Sequence, residues 1–113
     1  MPVLKSGAVA AEQAINVTRS VCLANRLEHA DSFLTRLRGL LGRDRLPPGE
    51  GLLISHCTSV HSIGMAFTID VLHLDRHGCV KRVLHNMKPG RLGPWVPSGA
   101  SVLELPAGAA AGT

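Results

Sequence analysis

The sequence predicts a small soluble domain of mainly β character (α+β), with one amphipathic helix packed against the sheet. Three observations carry this reading. Short apolar runs rich in Val, Ile and Leu recur along the chain, each bounded by Gly, Pro or a polar turn. A single stretch has its apolar residues at helical spacing. At 113 residues the chain is the size of one domain, and its 3% aromatic content requires an aliphatic core.

The elements follow in order. Residues 1–14 are small and Ala-rich, without a turn signal or a period, and are expected to form a flexible N-terminal arm. Residues 15–113 then make up a single β-rich domain. From Ile15 to Glu28 the β-branched residues suggest two short strands with a turn near Arg19 and Ser20. The helix follows. Asp31 can accept hydrogen bonds from first-turn amides as an N-cap, and Phe33, Leu34, Leu37, Leu40 and Leu41 share one face. Gly42 is placed to end the helix in a left-handed conformation. Leu46-Pro47-Pro48-Gly49 is a rigid turn, and Gly51 to Ser55 is a short buried strand. His56 to Met65 has no single period and reads as loop or irregular strand. Thr68 to Asp75 and Cys79 to His85 form a hairpin about Arg76-His77-Gly78, with Gly78 supplying positive φ. Lys88 to Ser98, crowded with Pro and Gly, is an ordered surface loop pinned by Trp95. Ser101 to Leu105 is a last strand, closed by Pro106.

Charge and cysteine content narrow the setting. The formal charge of +4 allows weak attraction to polyanions. Arg36, Arg38, Arg43 and Arg45 are the densest basic stretch, which on a helix face allows weak nucleic-acid binding. With Phe33, Phe67 and Trp95 as the only aromatics, base stacking has little to work with, so nucleic acid is not the expected partner. Cys22, Cys57 and Cys79 are odd in number and far apart, as expected of reduced thiols in the cytoplasm rather than a secreted disulfide framework. No stretch approaches the about 18 apolar residues of a membrane helix, so no membrane association is expected.

Three groups of residues could carry chemistry. His56, Cys57 and His61 place zinc or copper ligands within one short stretch, but a structural site generally takes four ligands and no second pair exists, so His73, His77 or His85 would have to complete the set from the hairpin. The same thiol and imidazoles could serve a nucleophilic enzyme, provided the cysteine sits in an electropositive, open setting. Asp70 and Glu104 each lie in an apolar strand, so each either faces outward or is buried with a partner such as Arg43. No Walker A, GxSxG, HExxH or EF-hand pattern occurs.

Several segments occur together in a known order. Arg36-x2-Gly39-Leu40-Leu41-x-Arg43 resembles the RxxGLMxR helix end of the domain of unknown function 192 family. Ile69-Asp70-Val71 is similar to its PLDI strand, and Asp75-x-His77-Gly78-x-Val80 to its hairpin. Val102-Leu103-Glu104-Leu105-Pro106-Ala107-Gly108 is similar to its VLELxAG strand. The resemblance implies a compact, antiparallel β-barrel-like sheet with a short helix, and no defined activity, ligand or partner. Two departures stand out. Val60 to Met65 replaces a FWMKNT-like stretch and, with Gly93-Pro94-Trp95, resembles a branch bearing HSIGM and GPW segments. The family also continues past Ala107-Gly108 with another strand, so a barrel lacking that strand is expected here. The open edge would then favour a homodimer or a disordered C-terminus.

The expected role is a non-catalytic binding or accessory module without a cofactor. Its concavity would be formed near His61, Asp70 and Trp95, with Glu104 and Arg43 as further candidates. The rival is a small metal-binding or thiol/His-dependent enzyme using His56, Cys57 and His61.

Overall fold

The computed structural model describes residues 3–7, 12–30, 40–57, 59–97 and 99–113. Three apolar runs form the centre of one sheet because both of their faces are covered. These are β4 (Glu50–Ser55), β5 (Ile69–Leu74) and β7 (Ser101–Pro106), in which nearly every residue is buried. Around them lie β1 (Val3–Gly7), β2 (Glu12–Asn16), β3 (Val21–Ala30) and β6 (Val80–Met87). The spatial order is β1-β2-β3-β4-β7-β5-β6.

Alternation along the central strands divides the core in two. Leu53, Leu72, Leu74, Leu103 and Leu105 point to one face, where they meet Leu23, Leu27 and Ala110. Leu52, Ile54, Ile69, Val71 and Val102 point to the other and pack with Leu40, Leu46, Met65 and Met87. The expectation of a mainly β domain holds, as does the hairpin. Its β5 and β6 pair antiparallel across Asp75–Gly78, with Gly78 at φ 80°.

Four features bear on the rest of the sequence reading. The expected helix falls largely on residues 31–39, which lie outside the described residues, and no helix is present among those described. Its expected end is described: Arg43 N–H donates to the Leu40 carbonyl, and Gly42 has φ 82°. The sheet is not purely antiparallel, because β3 and β4 run parallel. Residues 31–49 supply the long crossover that parallel neighbours require. As expected, the sheet does not close as a barrel: among the described strands β1 and β6 are its two edges, and it curls into a half-barrel.

The fourth feature concerns the two ends of the chain. Residues read as an arm contain β1 and the start of β2, paired from Val3↔Asn16 to Gly7↔Glu12. Ladder hydrogen bonds need no side-chain pattern, so an Ala-rich segment carries no warning of them. Residues 107–113 are also held. Ala110 is fully buried, and Asn16 Nδ2 donates to Thr113 Oγ1 at 3.4 Å. The strand before this tail, β7, lies between β4 and β5 rather than at an edge.

Gly51 shows how tightly β3, β4 and β7 approach. A Cβ added there would lie 3.0 Å from the Ala24 Cβ and 3.1 Å from a Leu105 methyl. Gly51→Ala is therefore expected to lower stability by about 1–3 kcal/mol through overpacking, measured by urea denaturation.

Candidate functional site

Asp70 lies in the middle of β5 on the face shared by Leu72 and Leu105, with no solvent exposure. A carboxylate in such a place must be satisfied by hydrogen bonds. Asn86 N–H donates to Oδ1 at 2.9 Å, while Gly108 and Ala110 N–H donate to Oδ2 at 3.0 and 2.9 Å. The Asn86 bond holds an irregularity in β6: the β5–β6 register shifts between Ile69 and Val71, and Asn86 takes φ 55°. The other two bonds hold the turn after β7. Asp70 is thus occupied by backbone, and the exposed His85 ring approaches it, at 3.9 Å.

Glu104 lies on the opposite face. The register aligns Glu28, Leu52, Glu104 and Val71 in one row across β3, β4, β7 and β5. Arg43 reaches over this row and binds Glu28 with two nitrogens, at 2.6 and 3.4 Å. Burial pushes the Glu104 carboxyl up to about 7, although the Arg43 cation pulls it the other way. Diagonally across the same face is His73, fully buried, with neither ring nitrogen hydrogen-bonded among the described residues. Burial first, and then the Arg82 charge, lowers its pKa, so the ring is neutral at pH 7.

His61 and Trp95 belong to a third place. The segment 60–65 and the loop 88–95 are laced together through Ser62, which is itself fully buried. Ser62 N–H donates to the Arg91 carbonyl at 2.8 Å, and its hydroxyl donates to the Lys88 carbonyl and accepts from Arg91 N–H. Gly90 N–H bonds to the Ser62 carbonyl and Gly93 N–H to that of Val60. His61 forms an isolated bridge with Leu92. Gly93 is required there, since a Cβ would lie 2.8 Å from both the Val60 carbonyl oxygen and its side chain. From this braced pair of loops Ile63, Leu92 and Trp95 project into solvent, 52, 79 and 70% exposed. A cleft of about 380 Å³ runs between the loop and β6, lined by Val83, Leu84, Met87, Leu92 and Pro94 among others.

The histidine and cysteine candidates separate. His56, exposed at φ 52°, borders a cavity of about 370 Å³ floored by Leu27, Leu53, Leu74 and Leu103. Cys57 packs against the other core face and donates its thiol to the Ser59 carbonyl at 2.8 Å. Among the described residues no three His, Cys, Asp or Glu side chains are grouped so as to hold a metal ion. None of the three cysteines is in a disulfide. No described helix is long and apolar enough to cross a membrane. Of the basic stretch, Arg36 and Arg38 lie outside the described residues.

The model of the domain of unknown function 192 family (DUF192, an uncharacterised ACR) matches residues 14–113, nearly the whole chain. The chain belongs to this family. Among solved structures, a protein of unknown function from Novosphingobium aromaticivorans is similar to it at a TM-score of 0.70 and 20% identity. The likeness covers 98% of this chain and 76% of that one. A candidate transcription regulator from Sinorhizobium meliloti is similar at a TM-score of 0.64 and 20% identity, over 95% of this chain and 80% of that one. At such identity the likeness is one of fold. No curated protein matches the chain.

In this member of the domain of unknown function 192 family, the five residues singled out in the sequence do not share one concavity. Arg43 and Glu104 come together on one face, Asp70 is sealed on the other, and His61 joins Trp95 at the surface. Sequence reasoning missed Ser62, and it named His73 only as a residue that could complete a metal set, without its burial. A serine gives no sign of burial, and a histidine in an apolar strand can face either way.

Two expectations follow. Asp70→Ala would leave three backbone N–H groups without their acceptor and is expected to cost about 3 kcal/mol or more in urea denaturation. Asp70→Asn should recover part of that. For Glu104, the folded carboxyl at about 7 stands above its ordinary value of 4.5. The stability contributed by the protonated form is complete below that ordinary value and is lost as pH rises through about 7. Stability should fall by about 3 kcal/mol at most across this window, and Glu104→Gln should flatten the fall when urea midpoints at about pH 5 and about pH 8 are compared.

Proposed function

We propose that the protein is a non-catalytic binding module of the cytoplasm, and that the braced loops 60–65 and 88–95 are the surface by which it engages another protein. The supporting observation is the exposure of Ile63, Leu92 and Trp95 on loops held by hydrogen bonds through Ser62. Loose loops could fold such side chains down onto the body of the protein; these are held away from it. A rigid tryptophan presented in advance loses little entropy on binding, and clustered exposed apolar residues are a common mark of interaction sites.

His61, between Ser62 and the bridge to Leu92, adds a polar ring at the border of the patch. Asp70, Glu104 and Arg43 support the scaffold in this reading rather than touching a ligand. Neither zinc nor copper is needed for it.

Trp95 is the single tryptophan in the chain, so its fluorescence reports on the patch directly. Peptides selected from a random phage-displayed library against the full chain should shift its emission to the blue. Trp95→Ala and Leu92→Ala should each weaken their binding by at least tenfold, about 1.4 kcal/mol. Selected peptides that bind both variants as tightly as the parent, or a library that yields none, would overturn the proposal.

A further inference from the structure

Resting on that reading, we infer that the partner supplies an extended acidic segment, which adds as a further strand along the open edge of β6 and seats an apolar side chain in the cleft beside Leu92. The mode follows from topology. β6 pairs only with β5 and ends the sheet, so one side of its backbone is unpaired with any described strand. The cleft touches Val83, Leu84 and His85 in succession. Consecutive strand residues point to opposite faces, so a cleft that meets all three lies along the edge of the strand. Its far wall is Arg91 to Pro94, part of the loop braced through Ser62. An edge strand beside a fixed apolar groove is the arrangement in which a peptide gains main-chain hydrogen bonds and side-chain pockets together.

The charge decides the occupant. From Arg76 to Leu103 the sequence contains no Asp or Glu, but does contain Arg76, Lys81, Arg82, Lys88 and Arg91. Lys81, Arg82, Lys88 and Arg91 are exposed, on β6 and the loop that flanks the cleft. Of the carboxylates nearest in sequence, Asp70 and Glu104 are buried, while Asp75 lies at the hairpin turn, where it accepts from His77 and Cys79 N–H and feels the Lys81 charge. Further along, Arg82, Lys88 and Arg91 have no carboxylate beside them in the sequence, and a segment bearing Asp or Glu would supply one. A second copy at the same edge would bring two strands that each carry Lys81 and Arg82 and no carboxylate side by side, and like charges repel.

Sequencing of the phage-selected peptides and titration of one of them into the ¹⁵N-labelled full chain test this directly. Asp and Glu should outnumber Lys and Arg among the selected sequences, and the amide shifts should run along Val80–Met87 as well as the loop. Lys81→Glu with Arg82→Glu should weaken binding by about tenfold and reduce its salt dependence. Neutral or basic peptides, or shifts confined to 88–95 with Trp95 still required, would overturn strand addition while the binding-module reading stands. Peptides indifferent to Trp95 would remove both. Phosphatidylserine vesicles that shift Trp95 emission where peptides do not, or a dimer that dissociates on mutation of Lys81 and Arg82, would also overturn the inference in favour of lipid or a second copy.

Discussion

The buried carboxylate of Asp70 ties three parts of the chain together where regular strand pairing gives out, at the irregularity between β5 and β6 and just past the end of β7. It sits on a central strand, accepts from Asn86 on the edge strand, and accepts from Gly108 and Ala110 beyond the last strand. A charge at that depth costs several kcal/mol unless it is satisfied, so it favours the one arrangement in which all three amides converge. The Asn86 bond fixes the irregularity in β6, and hence the path by which the chain leaves that strand. The Gly108 and Ala110 bonds draw the C-terminal turn over the core, where Ala110 is fully buried.

Downstream of this anchor, β6 delivers the chain to a loop whose shape is set by a second buried polar group. Ser62 takes the place that a turn's own backbone would otherwise fill, satisfying both a carbonyl and an amide of the loop 88–95. Gly93 lets that loop approach Val60 at a distance no side chain would permit. The result is a hydrogen-bonded pair of loops from which Ile63, Leu92 and Trp95 project, beside a strand that has a partner on one side only among the described strands. The opposite face, with Glu104, Arg43 and Glu28 in line, has a different electrostatic character. There a carboxyl is kept near neutrality by burial and is only partly relieved by its arginine.

The hairpin from Ile69 to Met87 and the strands at Gly51 and Ser101 were legible from alternation, β-branched content and turn residues, which are local properties. So was the family, through motifs spread along the chain in a fixed order. The pairing of β1 and β2 was not legible, because backbone hydrogen bonds leave no trace in an Ala-rich segment. Nor was the parallel pairing of β3 with β4, which depends on how a long connection returns to the sheet.

By itself the sequence determined that this is a small, mainly β domain with an aliphatic core, and that Asp70 and Glu104 require partners in their apolar strands. Tertiary structure decided which partners they have, and on which face. A strand alternates its side chains strictly, so residues 70 and 104 could lie on the same side or opposite sides depending on a register that only the assembled sheet fixes. It also decided that His61 and Trp95 share a surface while His56 and Cys57 part company. Separation along the chain says nothing of distance once a loop is folded back and tied by a buried hydroxyl.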